Sequence, residues 1–253
     1  MAAPTYIASG TQVNGTTSAI TPTWPSHQTN DVGILVVQSA NQTITLADPQ
    51  FFTEMAGSPL GTGTAGAAFA NRLAVFWSLA STSNMSAPTI AATADHALAR
   101  MFTVRSAYTR GTPLQSVATS IVATSESAVT IPAGTTPVNN CFLALLVANS
   151  NDTSASQLGG QTNGSVDNLT EVFDANTNNG VGGGICFTRA SLNTAGAFSI
   201  TTASLVSATP QITMAIAVFP TDAVFGTLPQ RVNTLTISSL SVSPILVTPL
   251  AVT

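Results

Sequence analysis

Two histidines, His27 and His96, set the limit on proton-transfer chemistry in this chain. A serine–histidine–aspartate relay would have to use one of them. Asp95 and His96 are adjacent, and neighbours along a strand point to opposite faces, so that pair is expected to be split. His27 follows Trp24-Pro25-Ser26 and belongs to a loop. Both histidines read as surface or turn residues. No Gly-x-Ser-x-Gly elbow, phosphate-binding loop or His-Glu-x-x-His motif occurs. Glycoside hydrolysis needs two carboxylates facing one cleft. Glu54 and Glu171 hold equivalent places in an internal duplication set out below. A symmetric catalytic pair is one reading of them; an acid at a strand edge, accepting turn hydrogen bonds, is the better one. Asp167, Glu171 and Asp174 could approach a calcium ion, but their spacing matches no calcium loop. Among the aromatic residues that could stack on a sugar, Trp77 sits in a core-like strand. That leaves Trp24, in a proline-flanked loop, as a glycan platform or as a plug at one end of the fold. Cys141 and Cys186 lie in apolar strands and make neither a disulfide framework nor a zinc site, so buried free thiols are expected. No catalytic residue, cofactor site or metal site is assigned, and the chain is expected not to be an enzyme.

The elements that would position these residues follow from composition and pattern. The 253 residues are 44% hydrophobic, enough to bury a sizeable core in one large domain or two small ones. Only 6% are charged, against about 25% in an average soluble domain. There is no lysine, the arginines are scattered, and the net charge is −4. Nucleic-acid binding by counterion release needs a basic stripe, and a polybasic membrane contact needs a basic cluster; the composition supplies neither. The longest strongly apolar run, residues 141–148, is far short of the roughly 20 residues of a membrane-spanning helix. The opening Met1-Ala2-Ala3-Pro4-Thr5 lacks the basic and apolar regions of a signal peptide. The chain is therefore expected to be made in a cytoplasm, where sequons such as Asn41-Gln42-Thr43 carry no meaning.

Periodicity is that of strands. Gly33-Ile34-Leu35-Val36-Val37 is a short continuous apolar run, as in a strand covered on both faces. Residues 73–77, 101–104, 142–147 and 212–219 read the same way, separated by turn-rich stretches such as Gly61-Thr62-Gly63-Thr64. Many short strands with frequent turns predict a sandwich or barrel. No capped helix period is present.

The pattern also repeats. Thr17-Ser18-Ala19-Ile20-Thr21 matches Glu126-Ser127-Ala128-Val129-Thr130, and residues 31–37 match 140–146. Phe52-Thr53-Glu54-Met55 matches Leu169-Thr170-Glu171-Val172, residues 75–81 match 185–191, and 101–104 match 215–218. The offsets run from 109 to 117 residues and the order never changes. The expected fold is all-β, a jelly-roll-like sandwich over residues 1–222 built from pseudo-repeats at about residues 5–108 and 114–220. One twelve-strand sandwich is preferred, because the link Tyr108-Thr109-Arg110-Gly111-Thr112-Pro113 is short. Two tightly packed sandwiches are the other arrangement. Residues 223–253 have no counterpart in the first half and contain no acid. Their alternating and then continuous apolar residues, Leu235, Ile237, Leu240, Val242, Ile245, Leu246, Val247 and Leu250, read as an extended arm. Each buried aliphatic side chain is worth about 1.5–3 kcal/mol, so such an arm must pack on its own domain or on a neighbouring subunit.

The first half resembles a β-sandwich pattern of structural proteins of tailed bacteriophages. The matching residues are Trp24-Pro25, Asn30-Asp31 before the strand 33–37, Phe52-Thr53, Val75-Phe76-Trp77 with Ala80, and Phe102-Thr103-Val104-Arg105-Ser106. The chain departs from the pattern with Asn30 for glycine, Phe52 for tryptophan and Ser106 for the last glycine. The resemblance covers roughly residues 5–220 and implies a jelly-roll-like fold and a place in a virion. It carries no catalytic residues. A capsid decoration or cement protein is the expected function. It would sit on the outer surface of the particle, bound to the major capsid protein and to copies of itself, in a homo-oligomer such as a trimer. A tail or fibre component binding host-surface glycans through Trp24 is the runner-up.

Overall fold

A computed structural model of the chain describes residues 3–223 and Phe225. The described residues form strands, turns and bends, and no helix. In the first half the strands are β1 (Thr5–Ser9), β2 (Val13–Gly15), β3 (Val32–Ser39), β4 (Leu46–Asp48), β5 (Thr53–Glu54), β6 (Leu60–Thr62), β7 (Asn71–Leu79), β8 (Thr89–Ile90) and β9 (Ala97–Arg105). The second half supplies β10 (Leu114–Ile131), β11 (Gly134–Thr136), β12 (Cys141–Asn149), β13 (Leu158–Thr162), β14 (Asp167–Thr177), β15 (Gly183–Leu192), β16 (Gly196–Phe198) and β17 (Thr201–Val218).

The chain is an antiparallel β-sandwich. A seven-stranded sheet runs β1-β9-β3-β7-β5, with β2 beside β9 and β6 beside β7. A six-stranded sheet runs β10-β17-β12-β15-β14, with β13 beside β17. Each sheet is thus drawn from one half of the chain. Two small ribbons, β4 with β8 and β11 with β16, complete the pairing. Every residue of β3 and β12 is buried, which is why their sequences show no polar alternation.

Three apolar layers result. Between the sheets, Val32, Ile34, Val36 and Val75 meet Ala144, Leu146, Ile212 and Met214 in one core. The rings of Phe102 and Phe187 stack across it with centroids 4.1 Å apart. The intervening residues of the same strands face outward. Leu35, Val37 and Met101 lie under Ile20, Trp24, Phe52 and Ile90. Leu143, Leu145 and Val147 lie under Val129, Leu158, Phe198 and Leu205.

An ion pair between a buried carboxylate and a partly exposed guanidinium pins the first sheet. Arg105, at the end of β9, donates from Nε and Nη2 to Asp31 at 2.9 and 2.8 Å, just before β3. The Asp31 carboxylate also accepts the amide of Gln28 at 2.7 Å. This pairing holds the guanidinium above its ordinary pKa.

Seventeen strands, rather than twelve, occupy the described residues. The additions are short polar pairings such as β2 and β6, which have no apolar run to announce them. The residues proposed for the arm, from Leu235 to Leu250, lie outside the described residues.

Candidate functional site

A largely buried polar cluster crosses one end of the sandwich and corrects the reading of His96. Asp95 occupies a bend before β9, not a strand position, so the rule that separates neighbouring side chains does not apply. Its Oδ2 lies 2.6 Å from His96 Nδ1. His96 is fully buried, and its Nε2 is 2.9 Å from Gln38 Oε1. Gln38 Nε2 donates to Ser39 O at 3.1 Å and to Asn71 Oδ1 at 3.3 Å. Asn71 Nδ2 donates in turn to Ala148 O, in the other sheet, at 2.9 Å. The two backbone carbonyls are fixed acceptors, so they orient both amides and leave Gln38 Oε1 facing the imidazole.

The second half closes on this chain of groups. The amide of Val181 donates to Asp95 Oδ2 at 3.1 Å. Gln12 Nε2 donates to Asn176 O at 2.7 Å. At Gly183 a Cβ would stand 2.2 Å from the Gln38 amide nitrogen, so only glycine allows the approach. Deeper in the second sheet, Asn149 Nδ2 donates to Asn176 Oδ1 at 3.1 Å, and Cys186 Sγ to Asp174 Oδ1 at 3.0 Å. Among the described residues the His96 ring bonds to Asp95 and Gln38 and to no hydroxyl. The cluster is a hydrogen-bonded joint between the two sheets.

The other candidates are dispersed. Trp24 is buried, packed edge-on to Phe52 with centroids 4.9 Å apart. Its indole sits against Gly33, where a Cβ would come within 2.5 Å of the ring. The platform reading of Trp24 is therefore withdrawn, because the residue caps the outer layer of the first sheet. His27 stacks on it at 4.5 Å, with Nδ1 2.8 Å from Pro25 O. The amide of Met85 points at His27 Nε2 from 3.1 Å, which fixes the tautomer.

Glu54 and Glu171 are exposed on strands of different sheets. Glu54 accepts from Ser58 Oγ at 3.2 Å and Glu171 from Gln161 Nε2 at 2.6 Å. Asp167 accepts from Asn193, whereas Asp174 accepts the amide of Leu158. Among the described residues no group of three His, Cys, Asp or Glu side chains is placed to hold a metal ion. Cys141 and Cys186 are free and buried. Burial raises the Cys141 thiol to about 11. Burial, with Asp174 beside it, holds the Cys186 thiol well above its ordinary value.

The surface is more distinctive than the interior chemistry. β10 closes one side of the six-stranded sheet and pairs only with β17 among the described residues. Its eighteen residues include one charge, Glu126. In β17, Leu205 to Ala208 stand opposite Ser127 alone, and this bulge leaves Val206 78% exposed. Ile121 of β10 is exposed on the same ribbon, and Ile200 is exposed in the link just before β17. On the other sheet the turn before β5 is closed by the Phe52 amide on Pro49 O at 2.7 Å. Phe52 goes under Trp24, and Phe51, at φ 66°, is turned outward and left 79% exposed. Residues 114–125 of β10, a stretch rich in Ser, Thr and Ala, carried no sequence signal, and neither did Phe51.

Comparison with protein-family models, with curated proteins and with solved structures finds no match.

Proposed function

We propose that this chain is a non-enzymatic virion structural protein, a capsid decoration or cement subunit that holds shell subunits together and binds copies of itself. The observation that carries the reading is the β10–β17 ribbon. A long edge strand presents unpaired backbone groups, and free proteins guard such edges with lysine, other charges, proline or bulges. β10 has bulges but a single charge over its length, and its ribbon displays two exposed aliphatic side chains, Ile121 and Val206. Such an edge is suited to being covered by another subunit. The scarcity of charge across the whole chain points the same way.

The finer reading, a jelly-roll-like fold made of two repeated halves, has support in the strand paths. The segments that match in sequence fall on β3 and β12, on β7 and β15, and on β9 and β17, and the strands follow the same order in both sheets. The bacteriophage pattern has support at its departures. Asn30 and Ser106 replace glycines and have φ of 72° and 61°, the region glycine prefers. In this proposal residues 223–253 are the tie to neighbouring subunits. The glycan-binding alternative has lost its platform with Trp24 buried.

Antibody-gold labelling of intact particles tests the assignment. Label spread over the head is expected. Label confined to a tail, or no label with the epitope shown to be accessible, overturns it.

A further inference from the structure

A cavity of about 390 Å3 opens between β1 of the first sheet and β14 and β15 of the second, with Tyr6, Phe142, Thr170, Arg189 and Ser191 in its lining. Arg189 is half-buried, and its guanidinium lies 5.3 Å from the centre of the Tyr6 ring. Among the described residues no carboxylate pairs with it and no acceptor takes a hydrogen bond from it. The neighbouring arginines differ. Arg105 is bound to Asp31, and Arg100 donates to Gly10 O at 2.9 Å and lies 4.4 Å above the Phe173 ring. The Tyr6 hydroxyl makes no hydrogen bond among the described residues, and it lies within electrostatic reach of Arg100.

A guanidinium carries five donors in a rigid plane and matches a carboxylate with two parallel hydrogen bonds. Stacking on an aromatic ring holds that plane and removes water from one of its faces. The rest of the wall is uncharged. Asn168 Nδ2 donates to Ser191 Oγ at 3.1 Å and Thr170 Oγ1 to Asn168 O at 3.2 Å, which fixes polar groups on one side. Phe142 gives an apolar surface. One positive charge matches one negative charge, and a wall of hydroxyl and amide groups matches a hydroxylated body. The volume lies at the small end of ligand pockets, which span roughly 300–1,000 Å3, and suits a single ring. We propose that this cavity binds a sugar acid of the hexuronate class, with its carboxylate on Arg189 and a ring oxygen on the Tyr6 hydroxyl. The proposal is independent of the capsid reading.

Titration of the full chain with galacturonate and glucuronate, followed by amide chemical shifts, tests it. Saturable shifts at Tyr6, Arg189 and Ser191 are expected, with glucose and sulfate binding about tenfold more weakly. R189Q should weaken hexuronate binding by about tenfold or more and Y6F by about threefold, the loss of a charged and of a neutral hydrogen bond. R189K retains the charge without the planar fork and should fall between wild type and R189Q, which keeps the test open if R189Q fails to fold. An absence of saturable shifts, equal binding of glucose or sulfate, or undiminished binding by the folded arginine variants overturns the proposal.

Discussion

At the scale of single residues, strain and burial make the clearest statements. Ser106 follows the ion-paired Arg105 and holds φ 61°, a conformation that disfavours any side chain. Ser106→Gly should raise stability by about 0.5–1 kcal/mol, read as a higher urea midpoint with an unchanged slope. The thiols give a pH dependence. Cys141 titrates at the usual 9.0 when exposed and at about 11 when folded. Its contribution is fully present below pH 9.0, shrinks as the unfolded thiol ionises, and is lost as pH rises through about 11. The urea midpoint should therefore fall across that window, and less steeply in Cys141→Ala. Asp31 and Arg105 were both visible as parts of a sequence pattern, but their pairing was not. They are 74 residues apart in sequence, and only the register of β3 with β9 brings them together.

At the scale of elements, legibility followed the apolar side chains. β3, β7, β9 and β12 announced themselves as uninterrupted apolar runs because both of their faces are covered. β10 did not, since most of its residues are exposed Ser, Thr and Ala whose pattern reflects no core. The Asp95 bend was missed for a related reason. Strand geometry was extended past the strand's first residue, Ala97, and a neighbouring pair that touches was read as a pair held apart. The edge of β10 makes its own prediction. A charge at the exposed Ile121 should block pairing while leaving the sheet intact. Ile121→Lys is expected to shift sedimentation toward the monomer with no change in far-ultraviolet circular dichroism, and unchanged association would remove this edge from the interface.

At the scale of the molecule, the all-β sandwich was legible from the density of short apolar runs and turns, but the division of labour between the sheets was not. Sequence matching aligned the halves without saying whether their strands would intermix. The structure keeps them apart: β1 to β9 build one sheet, β10 to β17 build the other, and the inner faces meet afterwards. That arrangement has a consequence for how the chain is born. The strands of the first sheet are all made once Arg105 has left the ribosome, yet the face bearing Val32, Ile34, Val36 and Phe102 has no complete partner until β17, with Ile212, Met214 and Ile216, is finished. At about 5–20 residues per second the interval lasts roughly 6–20 seconds. Until then part of an oily surface is uncovered on a nascent polypeptide without a single lysine to keep its neighbours at a distance. Self-association during synthesis is thus a hazard of this strand order that the folded sandwich, with that face covered, does not share.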